Sequence, residues 1–143
     1  MVESILLVDD EDLFHLVFED ACSLLNISLS LQSISSSDEA ARLFKEWQKF
    51  PKGRPECVFV DLNIIGSTLD GIELVKKINF EYGNHVVIGI ISSSDEATEQ
   101  ANAIKAGAQF WIVKTDEIEP RLEEFRKDYL GYKNRTLPFK IYR

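Results

Sequence analysis

The sequence predicts an α/β fold, a five-stranded parallel sheet doubly wound with helices on both faces. Three observations predict it. Ile5-Leu6-Leu7-Val8, Cys57-Val58-Phe59-Val60, Val86 to Ile91 and Phe110 to Val113 are short and almost wholly apolar, as strands buried on both faces are. Each is followed by a stretch with helical spacing of its apolar residues. Each also stops abruptly at a polar residue: Asp9 and Asp10, then Asp61, Ser92 and Lys114.

Taken in order, Ser4 to Val8 is the first strand and Glu11 to Leu25 the first helix, whose stripe Phe14, Val17, Phe18, Ala21 and Leu25 recurs at three and four residues. Ile27 to Ile34 alternates apolar and polar residues, the pattern of a half-buried edge strand. Ser36 with Glu39 forms a capping box that opens the second helix, which runs to Phe50. Pro51, Gly53 and Pro55 end it. Cys57 to Val60 is the third strand, Gly71 to Tyr82 the third helix and Val86 to Ile91 the fourth strand. Ser93 and Glu96 are read as the cap of a fourth helix, with Gly107 at its C-terminal stop. Phe110 to Val113 and Glu117 to Tyr129 complete five βα units. Strands each followed by a helix imply a parallel sheet covered on both sides.

Composition limits the function classes. At 143 residues, with 45% hydrophobic and 28% charged residues, the chain has the size and balance of one soluble domain. No stretch reaches the roughly 20 apolar residues of a membrane span, and Met1-Val2-Glu3-Ser4 lacks a basic n-region, so a cytoplasmic protein is expected. Cys22 and Cys57 fall in apolar patterns and read as small buried residues rather than a disulfide or metal pair. The formal charge of −8 divides unevenly: residues 130–143 carry Lys133, Arg135, Lys140 and Arg143 with no acid, leaving −12 on the rest. An acidic body repels phosphate backbones, which argues against direct nucleic-acid binding.

In an open α/β sheet, ligands bind outside the carboxyl ends of the strands, so the polar endings share one rim. Crowded carboxylates repel one another, and Mg²⁺, which takes oxygen ligands and is held by one or two carboxylates plus substrate phosphate, relieves that repulsion. Lys114 supplies a compact positive charge and Ser92 a hydroxyl, the groups that grip phosphate oxygens. Asp61 is then the nucleophile of an aspartyl phosphate. A lone Asp after a strand is usually a turn former. The five residues together, each at a strand end, make the functional reading the stronger one.

With Ile5-Leu6-Leu7-Val8-Asp9-Asp10, Val60-Asp61-Leu62-Asn63, Ile91-Ser92, Ala106-Gly107-Ala108 and Val113-Lys114, the chain resembles the receiver domain of bacterial two-component response regulators, over about residues 3 to 128. The resemblance implies a flavodoxin-like fold of five βα units, here residues 1–129, followed by a basic, aromatic tail, residues 130–143. It implies that Asp61 is the phosphoacceptor and that Asp9, Asp10, Asp61 and the main-chain carbonyl of Asn63 hold Mg²⁺. Ser92 and Lys114 fall on the family's phosphate-binding hydroxyl and lysine, and Trp111 on its switching aromatic. A histidine kinase or phosphotransfer protein would donate the phosphoryl group, and a downstream target protein would read it. Such a protein is not an enzyme beyond its own phosphorylation and dephosphorylation, and effector function is expected in another protein.

Three departures qualify the likeness. The loop Ile64-Ile65-Gly66-Ser67-Thr68-Leu69-Asp70 is longer than usual and lacks the family's proline, so access to the acceptor is expected to differ. Thr115 stands where a cis proline is usual, and a non-proline cis bond costs about 2.5–4 kcal/mol, so this peptide is expected to be trans. Trp111 is larger than the usual Tyr or Phe and is expected to resist burial. These departures suggest the rival reading, a receiver-fold binding module with lost or altered phosphorylation. His15 and His85 are weak phosphohistidine candidates outside a four-helix bundle, and Asn63 cannot act as the second acid of a haloacid-dehalogenase phosphatase. No Gly-rich loop follows the first strand, which weakens a nucleotide-binding reading. Tyr129, Tyr132, Leu137, Phe139, Ile141 and Tyr142 interleave with the tail's positive charges. The pattern admits two readings, a tail docked on an acidic surface of the body or of a second subunit in a homodimer, and a mobile terminus.

Overall fold

The apolar runs become neighbouring strands of one parallel sheet. The computed structural model describes residues 2–115 and 117–143. In chain order the elements are β1 (Val2–Val8), α1 (Asp12–Leu25), β2 (Ser28–Ile34), α2 (Ser37–Lys49), a 3-10 turn (Pro51–Gly53), β3 (Cys57–Asp61), α3 (Gly71–Tyr82), β4 (Val87–Ser92), α4 (Ala97–Ala106), β5 (Phe110–Val113), α5 (Glu119–Lys133) and β6 (Lys140–Tyr142). The strand order is β2-β1-β3-β4-β5-β6, all parallel. The order reverses between β1 and β3, so the carboxyl ends of these two strands flank the crevice that open α/β sheets offer to ligands.

Alternation along each strand sorts the core into two layers. Ile5, Leu7, Phe59, Phe110 and Ile112 face α1 and α5, where Phe18, Phe59, Phe110 and Phe125 make a chain of ring contacts with centroids 4.5–5.3 Å apart. Leu6, Val8, Val58, Val60, Ile88 and Ile90 face α2, α3 and α4. Among the described residues, no helix is long and apolar enough to cross a membrane.

Capping distinguishes the helices. Ser36 Oγ accepts the Glu39 N–H at 3.2 Å, as expected for the start of α2. Ser36→Ala is expected to cost about 1 kcal/mol, the usual value of an N-cap, with little change in slope, in a urea unfolding curve. The predicted Ser93 and Glu96 cap does not form. Ser92 Oγ accepts the Ser94 N–H and Ser94 Oγ accepts the Glu96 N–H, which keep this loop in turn conformation and delay α4 to Ala97. A full capping box occurs instead at α3, where Asp70 and Glu73 satisfy each other's backbone N–H groups.

The sheet has six strands rather than the five predicted. α5 runs on to Lys133, and residues 140–142 return beside β5 with Trp111 opposite Ile141 and Ile112 opposite Tyr142. Tyr142 is fully buried, and its hydroxyl lies 2.7 Å from that of Tyr132 and donates to Asp128 at 2.7 Å. Lys140 and Arg143 pair with Asp128 and Asp95, each at 2.7 Å, so the basic tail docks on acids of its own body. Burial favours the neutral form of Asp128, but the hydrogen bonds from Lys140 and Tyr142 outweigh it and hold the carboxyl below its ordinary range.

Candidate functional site

The rim is built by strand ends. β1 and β3 pair with Val8 opposite Val60, so the next residues, Asp9 and Asp61, project side by side. Asp9 is fully buried and Asp61 is 5% exposed. β5 ends opposite Ser92, and Lys114 N–H donates to Ser92 O at 2.6 Å, which turns the lysine back across the rim. Lys114 Nζ then lies 2.7 Å from Asp9 Oδ2, 3.0 Å from Glu11 Oε1 and 3.7 Å from Asp61 Oδ2. It also sits 4.3 Å from the Phe14 ring centroid, so α1 supplies an apolar seat for the ammonium.

Charge and burial work against each other here. Burial and the nearby Asp9 carboxylate raise Asp61 from 3.8 to about 7, despite Lys114 and the Asn63 N–H, which stabilise its charged form. Burial likewise raises Asp9 above its ordinary value against the pull of Lys114 and the Glu11 N–H. For Lys114, burial favours the neutral amine, but the close contact with the Asp9 carboxylate and the charge of Asp61 outweigh it and raise its pKa. Three acids around one ammonium leave the rim net negative.

Of the predicted site residues, Asp9, Asp61 and Lys114 come together at contact distance. Ser92 is buried at the end of β4 with its hydroxyl engaged by Ser94 N–H. Asp10 takes a different position: its Oδ2 accepts Ile65 N–H at 3.2 Å and anchors the loop after β3. Asn63 is exposed in that loop. Oxygens of Asp9, Glu11 and Asp61 lie within 4.8 Å of one another, so Glu11 joins the group that could hold a cation. The sequence reading passed over Glu11; its signal was a third consecutive acid after β1. Asp9 Oδ2 has its ion pair with Lys114 but no aligned hydrogen bond, a buried oxygen available to a metal. This all-oxygen donor set fits a hard divalent cation.

The three departures have physical outcomes. The long loop is pinned aside: Ser37 N–H donates to Ser67 Oγ and Leu69 N–H to Ser37 Oγ, both at 3.0 Å, while Thr68 Oγ1 donates to Asp38 at 2.7 Å. No cis peptide occurs among the described residues, so the Lys114–Thr115 bond is trans, as expected. Trp111 does not resist burial. It is fully buried, with Nε1 donating to Ser94 O at 3.1 Å, because β6 flanks β5 and Phe139 and Ile141 pack into the same layer.

Solved structures share this architecture. NtrX from Brucella abortus superposes with a TM-score of 0.73 at 23% identity, over 94% of this chain and 29% of that one, so the chain spans under a third of its length. The phosphorylated cyanobacterial phytochrome response regulator RcpA gives 0.72 at 16% identity, over 96% and 97% of the two chains. A CheY-like receiver domain protein from Methanospirillum hungatei gives 0.74 at 14% identity, over 94% and 99%. No curated protein is significantly similar. The profile of the response regulator receiver domain matches residues 5–123, most of the chain, and with this sheet and rim the protein belongs to the response regulator receiver domain family.

Proposed function

We propose that this protein is a cytoplasmic phosphoacceptor response regulator, phosphorylated on Asp61 and signalling through protein contact. The observation that carries the reading is the placement of the nearly buried Asp61 beside Asp9, with Lys114 Nζ 3.7 Å from its Oδ2. Phosphorylation of the related RcpA supports it. The donor would be a histidine kinase or phosphotransfer protein, and the reader a downstream target.

In the proposed step an Asp61 oxygen attacks phosphorus in line, and the bond from phosphorus to the donor's leaving atom breaks. Lys114 exchanges part of its contact with Asp61 for a phosphoryl oxygen. Ser92 Oγ–H donates to another. Asp9, Asp10, Asp61 and the Asn63 carbonyl, joined by Glu11, would hold Mg²⁺, whose charge would keep the carboxylates ionised and offset that of the incoming group. Burial of the rim strengthens each of these interactions relative to water.

Intact-mass measurement after incubation with acetyl phosphate and Mg²⁺ tests this. The wild type is expected to gain one phosphoryl group, and Asp61→Asn none. No wild-type adduct, under conditions that label another receiver, would leave the binding-module reading. An adduct retained by Asp61→Asn would move the acceptor.

A further inference from the structure

A chain of contacts links the last residue to the acid rim. Arg143 Nε donates to Asp95 Oδ2 at 2.7 Å, and Asp95 Oδ1 accepts from Gln100 Nε2 at 2.6 Å. Asp95 lies in the loop between β4 and α4. Its neighbour Ser94 accepts Trp111 Nε1–H on its carbonyl at 3.1 Å and donates its N–H to Ser92 Oγ at 3.1 Å. One short loop therefore holds the phosphate-binding hydroxyl at one end and the C-terminal strand at the other.

We propose that residues 137–143 form a strap whose seating on β5 and phosphoryl loading of Asp61 oppose each other through the Ser92–Asp95 loop. The proposal rests on the roles given above to Asp61 and Ser92. For Ser92 Oγ to reach a phosphoryl oxygen it must move toward the rim, and the Ser94 N–H bound to it either follows or is released. Ser94 O and Asp95 Oδ2 shift with that backbone. These are the atoms that hold Trp111 and Arg143. The strap is seated by buried Tyr142 and by Lys140 on Asp128, so loading biases its opening rather than freeing it outright. Opening bares the outer edge of β5. Coupling of this kind is reciprocal, so weakening the strap also favours loading.

Hydrogen exchange of the full chain, with and without Mg²⁺ and beryllofluoride as a phosphoryl mimic, tests the strap in two directions. Bound beryllofluoride, monitored independently by fluorine NMR, is expected to speed exchange at residues 140–142 about fivefold or more, the lower end of ordinary coupling strengths. Without any ligand, Arg143→Ala is expected to speed exchange at the Ser94 and Glu96 amides, and Arg143→Lys, which keeps the charge, to do so less. Bound beryllofluoride with unchanged exchange at 140–142, or an unaltered loop in Arg143→Ala, overturns the proposal. Absence of bound beryllofluoride would overturn the reading of Asp61 instead, and the ligand-free comparison of Arg143→Ala with wild type would still decide whether strap and loop are coupled.

Discussion

Asp61→Asn is expected to stabilise the metal-free protein by about 2–4 kcal/mol near pH 7, since one unit of pKa shift corresponds to about 1.4 kcal/mol. Asp61 is 5% exposed and raised from 3.8 to about 7, first by burial and then by Asp9. A carboxyl whose pKa is raised on folding binds its proton more tightly in the folded state. Below the unfolded-state pKa both states are protonated, and the penalty is absent. As pH rises toward 7, the unfolded chain has lost the proton while the folded one still holds it, so wild-type stability falls relative to the variant. Above 7 the full penalty applies. Urea unfolding of both proteins in chelator between pH 4 and 8 measures the difference, which should grow across that range. A difference independent of pH would sink the account. Saturating Mg²⁺ should narrow the gap, because binding to the native wild-type rim adds stability that the variant gains to a smaller extent.

Gly71→Ala should lower stability by roughly 3 kcal/mol, at the upper end of ordinary overpacking costs. A Cβ there would stand 2.2 Å from the Asp61 carbonyl oxygen and 2.8 Å from Leu62 Cα and O. Those are backbone atoms, so no side-chain rotation relieves the clash. Gly71 N–H also donates to Leu62 O at 3.1 Å, which ties the start of α3 to the end of β3. Separating them displaces Asp61 from Asp9 and Lys114, and the initial rate of labelling by acetyl phosphate should fall by about tenfold or more, as small misplacements of reacting groups do. Gly53→Ala, whose added Cβ has nothing within 4 Å, is the control. Wild-type melting and labelling in Gly71→Ala would show that the contact yields without cost.

Much of the site was legible because a strand end is a local event. Asp9, Asp61, Ser92 and Lys114 each follow an apolar run, and a parallel sheet places such endings on one edge whatever its helices do. Asp10 and Glu11 were harder to sort. Three consecutive acids after β1 look alike in sequence, and their separate positions depend on how the chain turns from β1 into α1 and on the distant Ile65 N–H. Ser93 and Glu96 had the spacing of a cap, yet two side-chain bonds within the loop held the backbone out of helix.

The tail shows the same division. Its alternation of aromatic and basic residues admitted docking or a mobile terminus, and Asp128 and Asp95 are the acids that receive it. That it would add a sixth strand depended on a free edge of β5, which exists only after the sheet has assembled. Burial of Trp111 followed from that strand. Hydrophobic periodicity and turn residues act over a few positions, so the sequence by itself determined the βα alternation, the two-faced core and the polar rim. Contacts between residues far apart in the chain decided which acids meet Lys114, where the long loop is tied and what covers β5, because pairings of that kind depend on the geometry of the assembled sheet.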